Sequence, residues 1–317
     1  MLIVGSLSSP SFMTALNISN VLQQSAPLGL VAIGQTFVIL AGGIDISVAA
    51  AMSLGTCVLM GVVNGSDGKI GYGIVLCVLF GLAIGLANGL IVVTARVPAF
   101  VVTFGTASII QGITFLYTKQ VDVGSAAPLM TKFAFRKWGF VSALALPMLL
   151  CGVVALVVQN RSVFGRWVYA VGGSEEIARL SGIRTNRIRV AAFVLSGLMA
   201  ALASVALSFR AGSGDPLGGS GFDWDSIAAV VIGGTALTGG KGGVAGSVLG
   251  AVILTMLTDI MNLAAVSGYI QVILKGCIVL LAVVLSTLVV WKASGRLRNP
   301  LSRRAPEPLR TVVGAQL

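Results

Sequence analysis

Long apolar runs alternate with short polar breaks along the whole chain. A bilayer core about 30 Å thick takes around 20 helical residues, and eight runs reach that length: 21–41, 44–63, 71–94, 98–118, 139–159, 188–209, 243–265 and 268–291. Each is predicted to be a membrane helix. A ninth run, 225–239, is shorter and ends on Gly233, Gly234 and Gly239, which predicts a half-helix or a tilted, broken span. Backbone of that kind is tolerated at membrane depth only where it lines a cavity or is buried in protein. The expected fold class is therefore all-α, a polytopic integral membrane protein with nine visible transmembrane helices, some broken at glycine. Residues 1–291 form the expected transmembrane domain, and residues 292–317 a basic tail expected to be disordered. The apolar stub Met1 to Leu7, followed by Ser8, Ser9, Pro10 and Ser11, reads as the last turns of a helix whose start is missing. That would bring the total to ten.

Composition agrees. Of 317 residues 56% are hydrophobic and 10% charged, and the mean hydropathy is +0.99. Soluble proteins carry roughly 25% charged residues, so a water-soluble domain is excluded. The 41 glycines suit closely packed membrane helices. A net charge of +11 would admit nucleic acid as a partner, but so apolar a chain has too little polar surface to wrap a phosphate backbone. The chain has no His, which excludes a Ser-His-Asp triad and any His-containing metal site. Cys57, Cys77, Cys151 and Cys277 lie in apolar runs without CxxC spacing and read as small buried hydrophobes. No metal and no catalytic residue is expected.

The basic residues set the orientation. Arg161, Arg166, Arg179, Arg184, Arg187 and Arg189 lie in segment 160–189, and Lys292, Arg296, Arg298, Arg303, Arg304 and Arg310 in the tail. Both stretches should be cytoplasmic. They fall on one side only if run 225–239 completes a crossing. Lys119, Lys132, Arg136 and Lys137, against Asp122 alone, would then be external, which runs against the charge rule.

Nucleotide motifs fail on inspection. Gly240-Lys-Gly242 with Ala245 follows an apolar run and no strand, and a Walker loop would need Gly at 235, where Thr235 stands. The chain itself binds no ATP. Gly81, Gly85 and Gly89, and likewise Gly242, Gly246 and Gly250, recur at four-residue steps, so two helices are expected to meet neighbours at backbone distance.

Polar side chains inside apolar runs are expensive and mark functional candidates. Asp45, beside the pair Gly42 and Gly43, could cap and fix a broken helix or contact a permeant. With it, Ser47, Asn88, Gln111 and Asn262 are candidates for the substrate pathway. Asp259 and Lys275, each set back from the turn near Ser267, are expected to form a structural ion pair. In segment 160–189, Ser174 can cap a short helix with Glu175 and Glu176 in its first turn and Gly182 as its stop. Ile177, Ala178 and Leu180 supply apolar contacts, Arg179 and Ser181 polar ones. Residues 174–182 thus form either a solvated loop helix or a docking helix for a cytoplasmic partner.

Three stretches, in order along the chain, carry a resemblance. They are Ile39-Leu-Ala-Gly-Gly-Ile-Asp-Ile-Ser-Val48, then Phe164 to Ile183 with Gly-Gly-Ser-Glu-Glu-Ile-Ala-Arg-Leu-Ser-Gly at its centre, then Asp225 to Gly243 with Ile-Gly-Gly-Thr-Ala-Leu-Thr-Gly-Gly-Lys-Gly. Weaker likeness at Arg96 to Thr103 and Gln271 to Lys275 extends it over most of the chain. The sequence resembles the permease subunits of bacterial ATP-binding-cassette importers for simple sugars, the ribose-type family that includes galactose, xylose and autoinducer-2 permeases. The resemblance implies about ten helices in the inner membrane, a second permease copy or a sister permease, two cytoplasmic ATPase subunits that bind the ATP, and an extracytoplasmic sugar-binding protein. It also implies that residues 174–182 are the helix that docks on the ATPase. Ala49 in place of Gly, and Asp259 in place of Asn, depart from the family pattern.

Three other readings compete. A branched-chain amino acid or autoinducer-2 ABC permease is the first, and the branched-chain amino acid permeases share the Gly-broken helices. An ion-coupled carrier would need an internal repeat, of which Gly42-Gly43 against Gly233-Gly234 is a faint echo. A membrane-embedded enzyme is opposed by the lack of His and of paired carboxylates.

Overall fold

In the computed structural model, residues 12–138 and 141–293 are described. The stub Met1 to Leu7 and the tail beyond Ala293, with Arg296, Arg298, Arg303, Arg304 and Arg310, lie outside them. Twelve α-helices are present among the described residues: α1 (Ala15–Leu40), α2 (Ser47–Val63), α3 (Ile70–Ala95), α4 (Ala99–Thr118), α5 (Pro128–Ala134), α6 (Ala145–Arg161), α7 (Val163–Gly173), α8 (Glu175–Leu180), α9 (Thr185–Ala211), α10 (Phe222–Ile232), α11 (Val244–Leu263) and α12 (Gly268–Ala293). The strands among the described residues are an antiparallel pair, β1 (Lys137–Trp138) and β2 (Val141–Ser142), and β2 falls in what was expected to be the start of a membrane helix.

Four described helical stretches are long and apolar enough to cross a membrane: 67–95, α4, α9 and α11. Helices α6 and α7, bent by 72° at Ser162, make a fifth if taken together. The protein is thus a helical bundle of membrane type. Helix α1 falls outside that group although it has 26 residues. It carries Gln23, Gln24 and Gln35 and is buried without a break from Ser25 to Leu40. That stretch is surrounded by protein, with α6, α9, α10 and α11 packed around it, whereas Leu16 and Ile18 in the first turns are exposed.

Glycine decides the closest contacts. A Cβ on Gly85 would strike the carbonyl oxygen of Phe193 in α9, and one on Gly81 would strike that of Gly197. Removing the side chains lets α3 and α9 pack at backbone distance, the gain being dispersion contact rather than hydrophobic transfer. The second glycine row is only partly helical. Gly246 and Gly250 meet the carbonyls of Gly233, just past the end of α10, and Ala229 within it, whereas Gly242 precedes α11 and sits at φ +121° against Thr235.

The bundle has two distinct ends. At the first, the chain leaves α1, turns from α3 into α4, bends through α6–α9 and enters α11. Gly240 N–H donates to the Leu40 carbonyl at 3.1 Å, and Tyr169 Oη donates to the Gly242 carbonyl at 2.6 Å. At the second, Gly65 N–H donates to Ser125, Asp67 accepts from Leu129 N–H, and Val123 bridges Gly214. Described basic residues crowd the first end, where Arg96, Arg161, Arg166, Arg179, Arg184, Arg187, Arg189 and Lys241 face only Glu175 and Glu176. Lys69, Lys119, Lys132, Arg136, Lys137 and Arg210 at the second are offset by Asp67, Asp122 and Asp215.

The short ninth run takes an unexpected form. After α9 the chain descends along α2 without helix: Gly214 lies against Cys57, and Gly219 against Ala49 and Met52, with Gly219 N–H donating to Ser53 Oγ at 3.0 Å. Only then does α10 begin, and its 11 residues rise about 16 Å. A run of turns, in which Gly218 N–H donates to Asp215 and Ser220 N–H to Leu217, makes up the first half of this segment and α10 the second.

Candidate functional site

Two features stand out, a polar clasp inside the bundle and a charged helix at its first end. The clasp forms where α1 breaks at Gly42, whose φ of +81° ends the helix. Asp45, 1% exposed, accepts at Oδ1 from Ser47 N–H at 3.0 Å and Ser47 Oγ at 2.6 Å. Its Oδ2 accepts from Ser196 Oγ of α9 at 2.8 Å. Ser47 Oγ in turn accepts from Asn88 Nδ2 of α3 at 2.8 Å. One carboxyl group therefore caps α2 and ties the break to α3 and α9, satisfying donors that would otherwise be buried and unpartnered. All three of Asp45, Ser47 and Asn88 meet here. Ser196 gave no sequence signal, being one of many small residues in an apolar helix.

The other pathway candidates go elsewhere. Gln111 Nε2 donates to the Pro216 carbonyl at 2.9 Å, holding α4 to the descending segment. Asn262 accepts from Gln271 Nε2 at 2.8 Å across the α11–α12 turn. The expected pair of Asp259 and Lys275 does not form. Lys275 meets Asp225 of α10 at 3.0 Å, because α12 packs on α10, and Asp259 accepts from Asn17 Nδ2 of α1 at 2.7 Å.

At the first end, Ser174 Oγ accepts from Ile177 N–H at 3.3 Å and starts α8, with Glu175 and Glu176 in its first turn. Gly182, at φ +82°, ends the turn after Ser181. Ala178 is buried, whereas Ile177 is 66% and Leu180 79% exposed, so α8 carries its apolar side chains outward. Glu175 pairs with Arg189 of α9 at 2.8 Å. Beside α8 opens a cavity of about 1330 Å³. Arg96, Arg179, Arg184, Arg187 and Arg189 line it with Glu175 and Glu176, and its inner wall includes Gly42 and Gly43. Helix α7, unforeseen in segment 160–189, supports α8. Ser162 Oγ caps it from Gly165 N–H at 3.0 Å. Among the described residues no cluster of His, Cys, Asp and Glu could hold a metal ion.

Known proteins resemble the chain along nearly its whole length. Residues 17–283 match the family described as branched-chain amino acid transport system / permease component. The ribose import permease protein of Bacillus subtilis (strain 168) is 38% identical, over 90% of this chain and 89% of its own length. That of Escherichia coli (strain K12) is also 38% identical, over 87% of each chain. The xylose transport system permease protein of Escherichia coli (strain K12) is 33% identical, over 86% of this chain and 85% of its own. No solved structure matches the chain significantly.

Proposed function

The chain belongs to the branched-chain amino acid transport system / permease component family, and from that premise we propose that it is the transmembrane subunit of an ATP-binding-cassette importer for a monosaccharide. The observation that carries the sugar reading is the 33–38% identity, over at least 86% of the chain, to permeases named for ribose and xylose. The protein is a multi-pass component of the bacterial cytoplasmic membrane, with residues 1–291 as its transmembrane domain and residues 292–317 as a cytoplasmic tail. Its first end faces the cytoplasm, in keeping with the excess of Arg there. Nine passages follow, one of them shared between the turns that precede α10 and α10 itself.

Its partners are a second permease copy or a sister subunit, two cytoplasmic ATPases that bind the ATP, and an extracytoplasmic sugar-binding protein. Residues 174–182 dock on the ATPase through the outward Ile177 and Leu180. Closure of the ATPase pair moves α8. Its ion pair with Arg189 passes the movement to α9, which holds Ser196 and hence the α1–α2 break. Contacts between packed, discrete elements transmit such changes because cores do not deform continuously.

The family description keeps one alternative in view, a branched-chain amino acid as cargo. Competition decides between them. Excess unlabelled ribose or xylose should suppress uptake of the matching labelled sugar by cells expressing the complete importer, and leucine should not. Labelled leucine uptake blocked by valine, with no sugar uptake, would reverse the assignment.

A further inference from the structure

Gln35 of α1 is the one side chain among the described residues with two polar atoms both buried and without a partner, Oε1 and Nε2. It is 0% exposed. Each amide atom left so destabilises the fold, and an apolar residue of similar length would avoid that cost. The neighbours of Gln35 fix where it points. A Cβ on Gly34 would lie against Ser196 of α9, and Thr36 Oγ1 bonds Ser247 Oγ of α11 at 2.7 Å. Helical spacing places Gln35 in line with Leu28, Ala32 and Ile39, which cluster with Ala228, Ala229 and Val230 of α10 and, at the flank, Ala251 and Leu254 of α11. Gln35 therefore occupies the seam between α1 and α10. Helix α10 is short and set between glycines, with Gly221 at φ +88° before it and Gly234 at φ +85° after it. Its side chains on this seam are small.

We propose that Gln35 is a hydrogen-bonding subsite for the transported sugar, uncovered when the α1–α10 seam parts. The proposal rests on the monosaccharide reading and deepens it. An amide offers two donors and an acceptor of two lone pairs, which matches hydroxyl groups that both give and accept hydrogen bonds. The seam residues around it are apolar and uncharged, so they suit a neutral ring with C–H faces and offer nothing to the ammonium or carboxylate of an amino acid. The residue lies beside the contact with Ser196, which holds Asp45, so parting the seam is linked to the clasp.

The test uses Gln35→Met and Gln35→Asn in the complete importer, with its ATPase and binding protein, in proteoliposomes given labelled ribose, xylose or galactose. Methionine keeps the length and removes the unpartnered amide. For Q35M, uptake of the sugar that the wild type carries fastest should fall about tenfold. ATPase copurification should be unchanged, and the melting temperature should equal or exceed that of the wild type. The shorter amide in Q35N should retain more uptake than Q35M. Unchanged uptake by Q35M would overturn the subsite, as would a lowered melting temperature with loss of the ATPase, because Gln35 would then be a packing residue. A wild-type importer that carries leucine and none of the three sugars would overturn the functional reading itself.

Discussion

Replacing Ser196 by Ala removes the only α9 donor to Asp45 and leaves Oδ2 without a partner in a site 1% exposed. A buried acceptor stranded in this way costs about 1–3 kcal/mol. With an unfolding entropy of about 2.1 cal/mol/K per residue, a chain of 317 residues loses about 1.5–4.5 °C in melting temperature. Ser47→Ala should cost more. It removes a donor to Asp45 and the acceptor of Asn88 Nδ2 together, and Asn88 Oδ1 already lacks a partner, so the whole amide would be stranded. The assay is intrinsic-fluorescence melting of the purified permease in mild detergent, arranged as a double-mutant cycle of Asp45→Ala and Ser196→Ala. Residues in one network should couple by about 1 kcal/mol or more. Strictly additive effects, or a melting temperature unmoved by Ser196→Ala, would refute the clasp.

Three further outcomes are expected. Ile177→Ser with Leu180→Ser alters only exposed side chains of α8 and should leave melting within about 1 °C while reducing ATPase copurification and uptake together; undiminished association would remove α8 from the interface. Lys275→Ala strands Asp225, a pair about one quarter exposed on each side, and should destabilise by about 1–3 kcal/mol, with Asp225→Asn in addition recovering part of the loss; melting curves of the singles and the double check this. Gly85→Val should block folding, since even a Cβ there meets the Phe193 backbone, whereas Gly105→Ala on α4 meets nothing within 4 Å and should be accepted, as size-exclusion profiles of the two would report.

Much of the architecture was legible from residue pattern. Each of the nine apolar runs overlaps a helix, six of them with both ends within three residues; the helix of run 21–41 starts six residues earlier at Ala15, that of run 139–159 six later at Ala145, and that of run 225–239 stops seven short at Ile232. Ser174 and Gly182 sufficed to outline α8, because caps and stops are local chemistry. What escaped was tertiary. Helix α7 is 11 residues long and carries Arg166 and three glycines, too short and mixed to separate from a loop. Asp259 and Lys275 are close along the chain, but helix packing, not sequence distance, chose Asp225 as the partner of Lys275. Gln35 could be seen as polar in an apolar run, yet only its surroundings show that its amide atoms have no partners.

The central claim is that ATP drives a sugar through this chain. Proteoliposomes holding the permease, its ATPase and its binding protein should take up labelled ribose or xylose when ATP is trapped on the ATPase side, and should stop when a non-hydrolysable analogue replaces it. Uptake that instead follows an imposed proton or sodium gradient with no ATP present would contradict the account.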